Sequence, residues 1–177
     1  MQDQLWVFGY GSLIWDPCFA FTERCIATAP GWHRSFCMWS VHYRGTAENP
    51  GLVLALDRAT GAACQGVAFA IPAGAEEATV AALRTRELIS SAYLEATITI
   101  TLPDGRDVPA LTYVINRDHA QYTGPMTPDE QAQIIATRHG VRGPNRDYLF
   151  ATAQHLALLG LADPELDALV TRVRALT

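Results

Sequence analysis

The sequence contains no lysine: its 13 basic residues are all arginine, against 18 acidic ones, for a formal net charge of −5. That absence excludes Schiff-base catalysis, a Ser–Lys dyad and the lysine of a Walker A phosphate loop, because each needs an ε-amine. There is no basic run and no arginine cluster interleaved with aromatics, so the electrostatic footprint of a nucleic-acid binder is missing. No apolar run approaches the roughly 20 residues that span a bilayer, and acidic Asp3 stands where a secretory leader would carry basic residues. The expected location is the cytoplasm, with neither membrane nor nucleic acid as a partner.

Cysteine is sparse and unpatterned. Cys18, Cys25, Cys37 and Cys64 form no CxxC pair, so they are expected to be reduced and packed, not bridged. His33, His42, His119, His139 and His155 are scattered, without the HExxH spacing that sets two imidazoles on one helix face. No metal site and no cofactor are expected.

What remains is a chain of 177 residues, 49% hydrophobic and 18% charged, enough for one domain over residues 1–177 with a self-sufficient core. Strands are expected at Leu5–Phe8, Cys25–Ala29, Trp32–Tyr43, Leu52–Leu56, Gly66–Ile71, Leu94–Leu102 and Val108–Ile115. Turn signals such as Pro30-Gly31 and Pro103-Asp104-Gly105 separate them. In "EATITITL", Ala96, Ile98, Ile100 and Leu102 alternate with threonines, the pattern of a half-buried strand. One helix interrupts the series from Ala75 to about Leu88, with glutamates in its first turn. The last third is helical. Thr127-Pro128-Asp129-Glu130 reads as an N-cap, a proline at N1 and a capping-box glutamate opening a helix to about His139, and "GPNRDYLFATAQHLALLGL" and "DPELDALVTRVRAL" open two more. The expected fold is α+β: a mostly antiparallel, barrel-like sheet, one inserted helix and a helical carboxy-terminal third.

Two features are candidates for chemistry. "VFGYGSLIW", residues 7–15, places Gly9 and Gly11 at the end of the first strand. A dinucleotide fingerprint fails because its third glycine position is Ile14, and a nucleophile elbow fails because Leu13-Ile14 follow Ser12. An anion loop of successive N–H groups with the Ser12 hydroxyl stands beside a plain structural turn. The second candidate is Glu87. With Val80 and Leu83 it falls at i, i+3 and i+7 on the inserted helix, so its carboxylate lies on the apolar face. Desolvation there would raise its pKa toward that of a general base working near neutrality. The plainer alternative is an ion pair with Arg84 or Arg86 at the helix end. Glu76, on the same face, reads as a solvated first-turn residue.

Six stretches, "WVFGYGSLIWDP", "HYRGTAENPGLVLALD", "GVAFAI", "TREL…AY", "LTYVINRDHAQYTGP" and "GPNRDYLF", fall in an order that resembles the ChaC-type γ-glutamylcyclotransferases over almost the whole chain. The resemblance implies a mixed fold around a barrel-like sheet. It also implies cofactor-free cleavage of glutathione to 5-oxoproline and cysteinylglycine. By the same resemblance, Tyr10–Leu13 form the γ-glutamyl pocket, extended here to Gly9, Tyr10, Gly11, Ser12, Leu13 and Ile14, and Glu87 of the Arg-Glu pair is the acid/base. Arg44 in "YRG" and Tyr122 in "QYTGP" match family positions and are candidates to contact substrate carboxylates, with a purely structural loop role as the alternative, whereas Tyr113 reads as core. The chain departs from the family after Glu87, where Ser90-Ser91-Ala92-Tyr93 replaces a Gly-Gly-Tyr pattern on the leaving-group side. Two other readings follow: a cyclotransferase for other γ-glutamyl amino acids or γ-glutamylamines, and a non-catalytic sensor or accessory protein. A monomer or weak dimer is expected.

Overall fold

The computed structural model describes residues 4–161 and 163–177; Asp3 lies outside them. The chain forms two compact units, Met1–Arg34 with Leu56–Asn116, and Ser35–Ala55 with Arg117–Thr177.

Five strands close a barrel: β1 (Trp6–Gly9), β2 (Glu23–Ser40), β3 (Gly51–Ala70), β4 (Tyr93–Thr101) and β5 (Asp107–Ile115), in the order β1-β3-β2-β4-β5, with β3 also meeting β5. Pairings of β1 with β3, β2 with β4 and β4 with β5 are antiparallel, whereas β1–β5 and β3–β5 run parallel. Trp6, Val7 and Phe8 are all buried, since β1 is flanked on both edges and its apolar run leaves no face for water. In β4, Ile98 and Ile100 are buried while Thr97 and Thr99 are exposed, as the alternation predicts.

The boundaries differ from expectation where a turn signal lies inside a continuous strand. Cys25–Ala29 and Trp32–Tyr43 are one strand, β2, which ends at Ser40; Leu52–Leu56 and Gly66–Ile71 are likewise joined in β3. Gly31 and Gly61 take φ of +82° and +79° inside these strands. A glycine of that conformation bends a strand without ending its ladder, so the signal marked a bend.

In the first unit the inserted helix is α1 (Glu76–Glu87). No side chain caps its start; instead Glu76 accepts from the Gly74 N–H at 2.7 Å, and Glu76 and Glu77 face Arg84 and Arg86 across the helix dipole. The second unit carries α2 (Pro128–Thr137), α3 (Asn145–Leu158) and α4 (Pro164–Ala175). Thr127 closes the expected capping box with Glu130, and the Asp163 carboxylate accepts from the Leu166 N–H. Leu149, Leu156, Leu169 and Val173 are buried in this unit. Cys37 and Cys64 are buried, but Cys18 is exposed, contrary to the expectation that all four thiols are packed. Among the described residues, no helix is long and apolar enough to cross a membrane.

Candidate active site

Strand β1 delivers the glycine loop. At its end Gly9 lies against β3, where Gly66 has no room for a side chain, because a Cβ there would sit 2.4 Å from the Gly9 carbonyl oxygen. Beyond Gly9 the chain makes a single 3-10 turn, Ser12–Ile14, closed by the Ile14 N–H donating to the Gly11 carbonyl at 2.9 Å. The first N–H groups of such a turn have no acceptor within it. Here they belong to Ser12 and Leu13.

The loop side chains divide by burial. Tyr10, Leu13 and Ile14 are buried, and the Tyr10 hydroxyl donates to the Tyr113 carbonyl at 2.7 Å. Whatever Leu13 and Ile14 offer a ligand from this loop is therefore main chain. Ser12 is partly exposed, with a usable hydroxyl. Two arginines fix the loop. Arg34, itself buried, donates from Nε to the Tyr10 carbonyl at 2.6 Å and from Nη2 to the Gln65 carbonyl at 2.5 Å. Arg86 donates from Nη2 to Ser12 Oγ at 2.9 Å and from Nη1 to the Asp16 carbonyl at 2.5 Å.

Glu87 ends α1 with its side chain 17% exposed. The expected apolar face is only half right. Leu83 is fully buried, but Val80 is partly exposed, and Thr79 is the buried residue one turn before Leu83. Thr79, Leu83 and Glu87 are spaced i, i+4 and i+8, so Glu87 does follow the buried stripe. Val80 instead lines, with Leu5, Glu76, Glu77, Ala81 and Arg84, an open cavity of about 460 Å³. Burial pushes the Glu87 carboxyl above its ordinary 4.5, and the Arg86 charge partly opposes that rise. Arg86 Nε lies 3.4 Å from Glu87 Oε1, so the loop serine and the helix carboxylate meet at one guanidinium. Arg84 is committed elsewhere: it forms a bidentate pair with Glu95 at 2.8 Å. Glu95 also accepts from the Tyr113 hydroxyl at 3.0 Å; burial, and then this carboxylate, raise the Tyr113 pKa. Tyr113 is core, as expected.

Arg44 and Tyr122 belong to the second unit. Arg44 Nη1 donates to the carbonyls of Arg142 at 2.9 Å and Pro144 at 3.2 Å, with the guanidinium 5.7 Å from the Tyr148 ring centre. Tyr122 bridges to Met38, and its ring centre is 5.8 Å from the Arg117 guanidinium.

The family model for ChaC-like proteins matches residues 5–176. The chain belongs to the ChaC-like family. It is 39% identical to the glutathione-specific γ-glutamylcyclotransferase of Escherichia coli (strain K12) over 175 residues, covering 99% of this chain and 75% of that protein. It is 33% identical to glutathione-specific γ-glutamylcyclotransferase 1 of Homo sapiens, over 96% of this chain and 78% of the human one. Among solved structures, a glutathione-specific γ-glutamyl cyclotransferase from yeast superposes with a TM-score of 0.85 at 27% identity, covering 97% of this chain and 96% of that one.

Sequence reasoning passed over Arg34 and treated Arg86 only as a possible ion-pair partner. A signal for Arg34 was present. It alternates with Trp32 and Phe36 at inward positions of a strand, and a charge there needs buried acceptors. Nothing in the spacing of residues 12 and 86 announces that they meet.

Proposed function

We propose that this protein is a γ-glutamylcyclotransferase that cleaves glutathione, with Glu87 as acid/base and Gly9, Tyr10, Gly11, Ser12, Leu13 and Ile14 as the γ-glutamyl pocket. The observation that carries the reading is a desolvated carboxylate at the end of α1 linked through Arg86 to the Ser12 hydroxyl of the glycine loop. The relatives' shared activity supports it.

The reaction needs little from the protein because its nucleophile is tethered. The substrate's α-amine attacks its own γ-carbonyl, and a ring-closing attack of this kind starts with a high effective molarity. Glu87 takes a proton from the α-ammonium, freeing the lone pair that forms the C–N bond. The γ-carbonyl oxygen gains negative charge in the tetrahedral intermediate. An N–H of the Ser12–Leu13 turn is suited to that oxyanion; one such donor is typically worth about 3 kcal/mol. Collapse breaks the γ-amide bond as Glu87 returns its proton to the departing cysteinyl nitrogen; the ring nitrogen gives up its second proton, which the released amine takes up, and 5-oxoproline and cysteinylglycine leave.

Arg44 and Tyr122 belong to the proposal as contacts for substrate carboxylates. With Nη1 engaged on two carbonyls, a carboxylate would approach Arg44 at Nε or Nη2. A cytoplasmic location is proposed in keeping with the four free cysteines. A single domain and a monomer or weak dimer complete the reading, checked by one cooperative unfolding transition and by sedimentation. The decisive experiment incubates the purified protein with glutathione and follows 5-oxoproline and cysteinylglycine. Equimolar release is expected; no release sinks the reading.

A further inference from the structure

Arg86, the penultimate residue of α1, reaches three residues with one guanidinium. Nη2 donates to Ser12 Oγ at 2.9 Å; Nη1 donates to the Asp16 carbonyl, with the Asp16 carboxylate at 3.7 Å; Nε stands 3.4 Å from Glu87 Oε1. The guanidinium is planar, so the directions of these N–H groups are fixed relative to one another. The first residue of the 3-10 turn, Ser12, and Asp16 two residues beyond its end are therefore both referenced to the helix end that carries Glu87.

The contact also fixes the sense of the Ser12 hydrogen bond. Arginine has donors and no acceptor, so the serine oxygen must receive the Arg86 hydrogen. The hydroxyl's own hydrogen then points away from Arg86, available to an acceptor. The oxygens of a γ-glutamyl group are acceptors: two on the α-carboxylate and one on the γ-carbonyl.

We infer that Arg86 is the positioning residue of this site, turning Ser12 into a hydrogen-bond donor for a substrate oxygen and holding Glu87 in register with it. The inference rests on the reading of Glu87 and the glycine loop as the active site. Arg86 has a second consequence at Glu87. Around that carboxylate stand Arg86 on α1, Tyr113 on β5, with Glu95 of β4 behind its hydroxyl, and Asp16 across the guanidinium. Arg86 supplies the positive charge that opposes burial. Its removal should move the ionisation of Glu87 upward.

The test measures kcat, KM and the pH profile with glutathione for R86Q, R86K, S12A and the R86Q/S12A double variant. R86Q is expected to raise KM roughly ten-fold and to shift the acid limb of kcat/KM to higher pH. R86K, which keeps the charge without the fork, should restore the limb but not KM. S12A should raise KM as well, and the double variant should be little worse than R86Q, because both changes break one contact. A folded R86Q with wild-type KM and an unmoved acid limb overturns the proposal, as does a double variant whose losses simply multiply. Should R86Q not fold, R86K with wild-type KM overturns it instead. Failure of the underlying reading looks different: E87Q keeps full turnover, or the wild type has none. In that case amide exchange over residues 12–16 decides, faster exchange in R86Q upholding the Arg86 tie and unchanged exchange refuting it.

Discussion

Arg44 in the second unit and Arg86 in the first are both partly buried arginines that donate to main-chain carbonyls, yet they leave their surroundings in different states. Arg44 joins the carbonyls of residues 142 and 144 and stacks near Tyr148. Nearby, Asn145 is fully buried, and its amide gives one hydrogen bond to the Leu52 carbonyl and accepts one from the Leu52 N–H, each at 2.8 Å. There Arg44 Nη1 and the Asn145 amide are both spent on the backbone. Arg86 instead divides its donors between a carbonyl, a hydroxyl and a carboxylate, so Ser12 accepts from it with its own hydrogen directed elsewhere and Glu87 meets it only at 3.4 Å. The lesson is that a paired polar group holds a fold, whereas a half-paired one beside a desolvated carboxylate is equipped for chemistry.

The comparison breaks most sharply at Glu87. Glu87→Gln should lower kcat by at least about 100-fold, the usual contribution of a general acid/base, while the protein stays folded. Release of 5-oxoproline checks this, and retained turnover would remove Glu87 from the reaction. Asn145→Ala should do the opposite. Leaving the Leu52 N–H and carbonyl buried without partners costs roughly 2–4 kcal/mol, read by denaturant unfolding, and kcat per folded molecule should hold.

A further test concerns pH and stability. The Glu87 carboxyl is raised in the folded state, so its contribution to stability is present below its ordinary 4.5 and is lost as pH rises through the folded value. Thermal unfolding should therefore show Glu87→Gln more stable than wild type at neutral pH and equal to it below about pH 4.5. A difference that persists unchanged into acid would refute the desolvation argument. The smallest effect belongs to Arg84→Ala. Its pair with Glu95 is solvent-exposed on the arginine side, so melting temperature and turnover should both stay close to wild type.

Much of this molecule was legible in its residues because the signals are local. The capping box at Thr127, the alternation of β4 and the glutamates opening α1 each depend on neighbours a few residues apart. Glu87 was legible for the same reason, since helical spacing from Leu83 sets its face. Illegible were events that need the sheet to close. Pro30-Gly31 reads as a turn in sequence, but β2 runs through it, with Gly31 at φ +82° in a strand that the closed barrel flanks with β3 and β4. Spacing places Val80 on the buried stripe that Thr79 in fact occupies, because periodicity alone fixes a helix face only to within one residue.

The sequence by itself determined the class of the fold, the absence of a lysine nucleophile and the placement of a carboxylate at the end of an amphipathic helix. These follow from composition and from period, which no tertiary contact can alter. Only the tertiary structure decided that Ser12 and Glu87 share Arg86, across 74 residues of chain, and that Arg84 turns away to Glu95. Two arginines one residue apart on either side of Thr85 are equivalent in sequence. They differ because the barrel brings the end of β1 to one side of α1 and β4 to the other, and proximity between distant segments is set by packing.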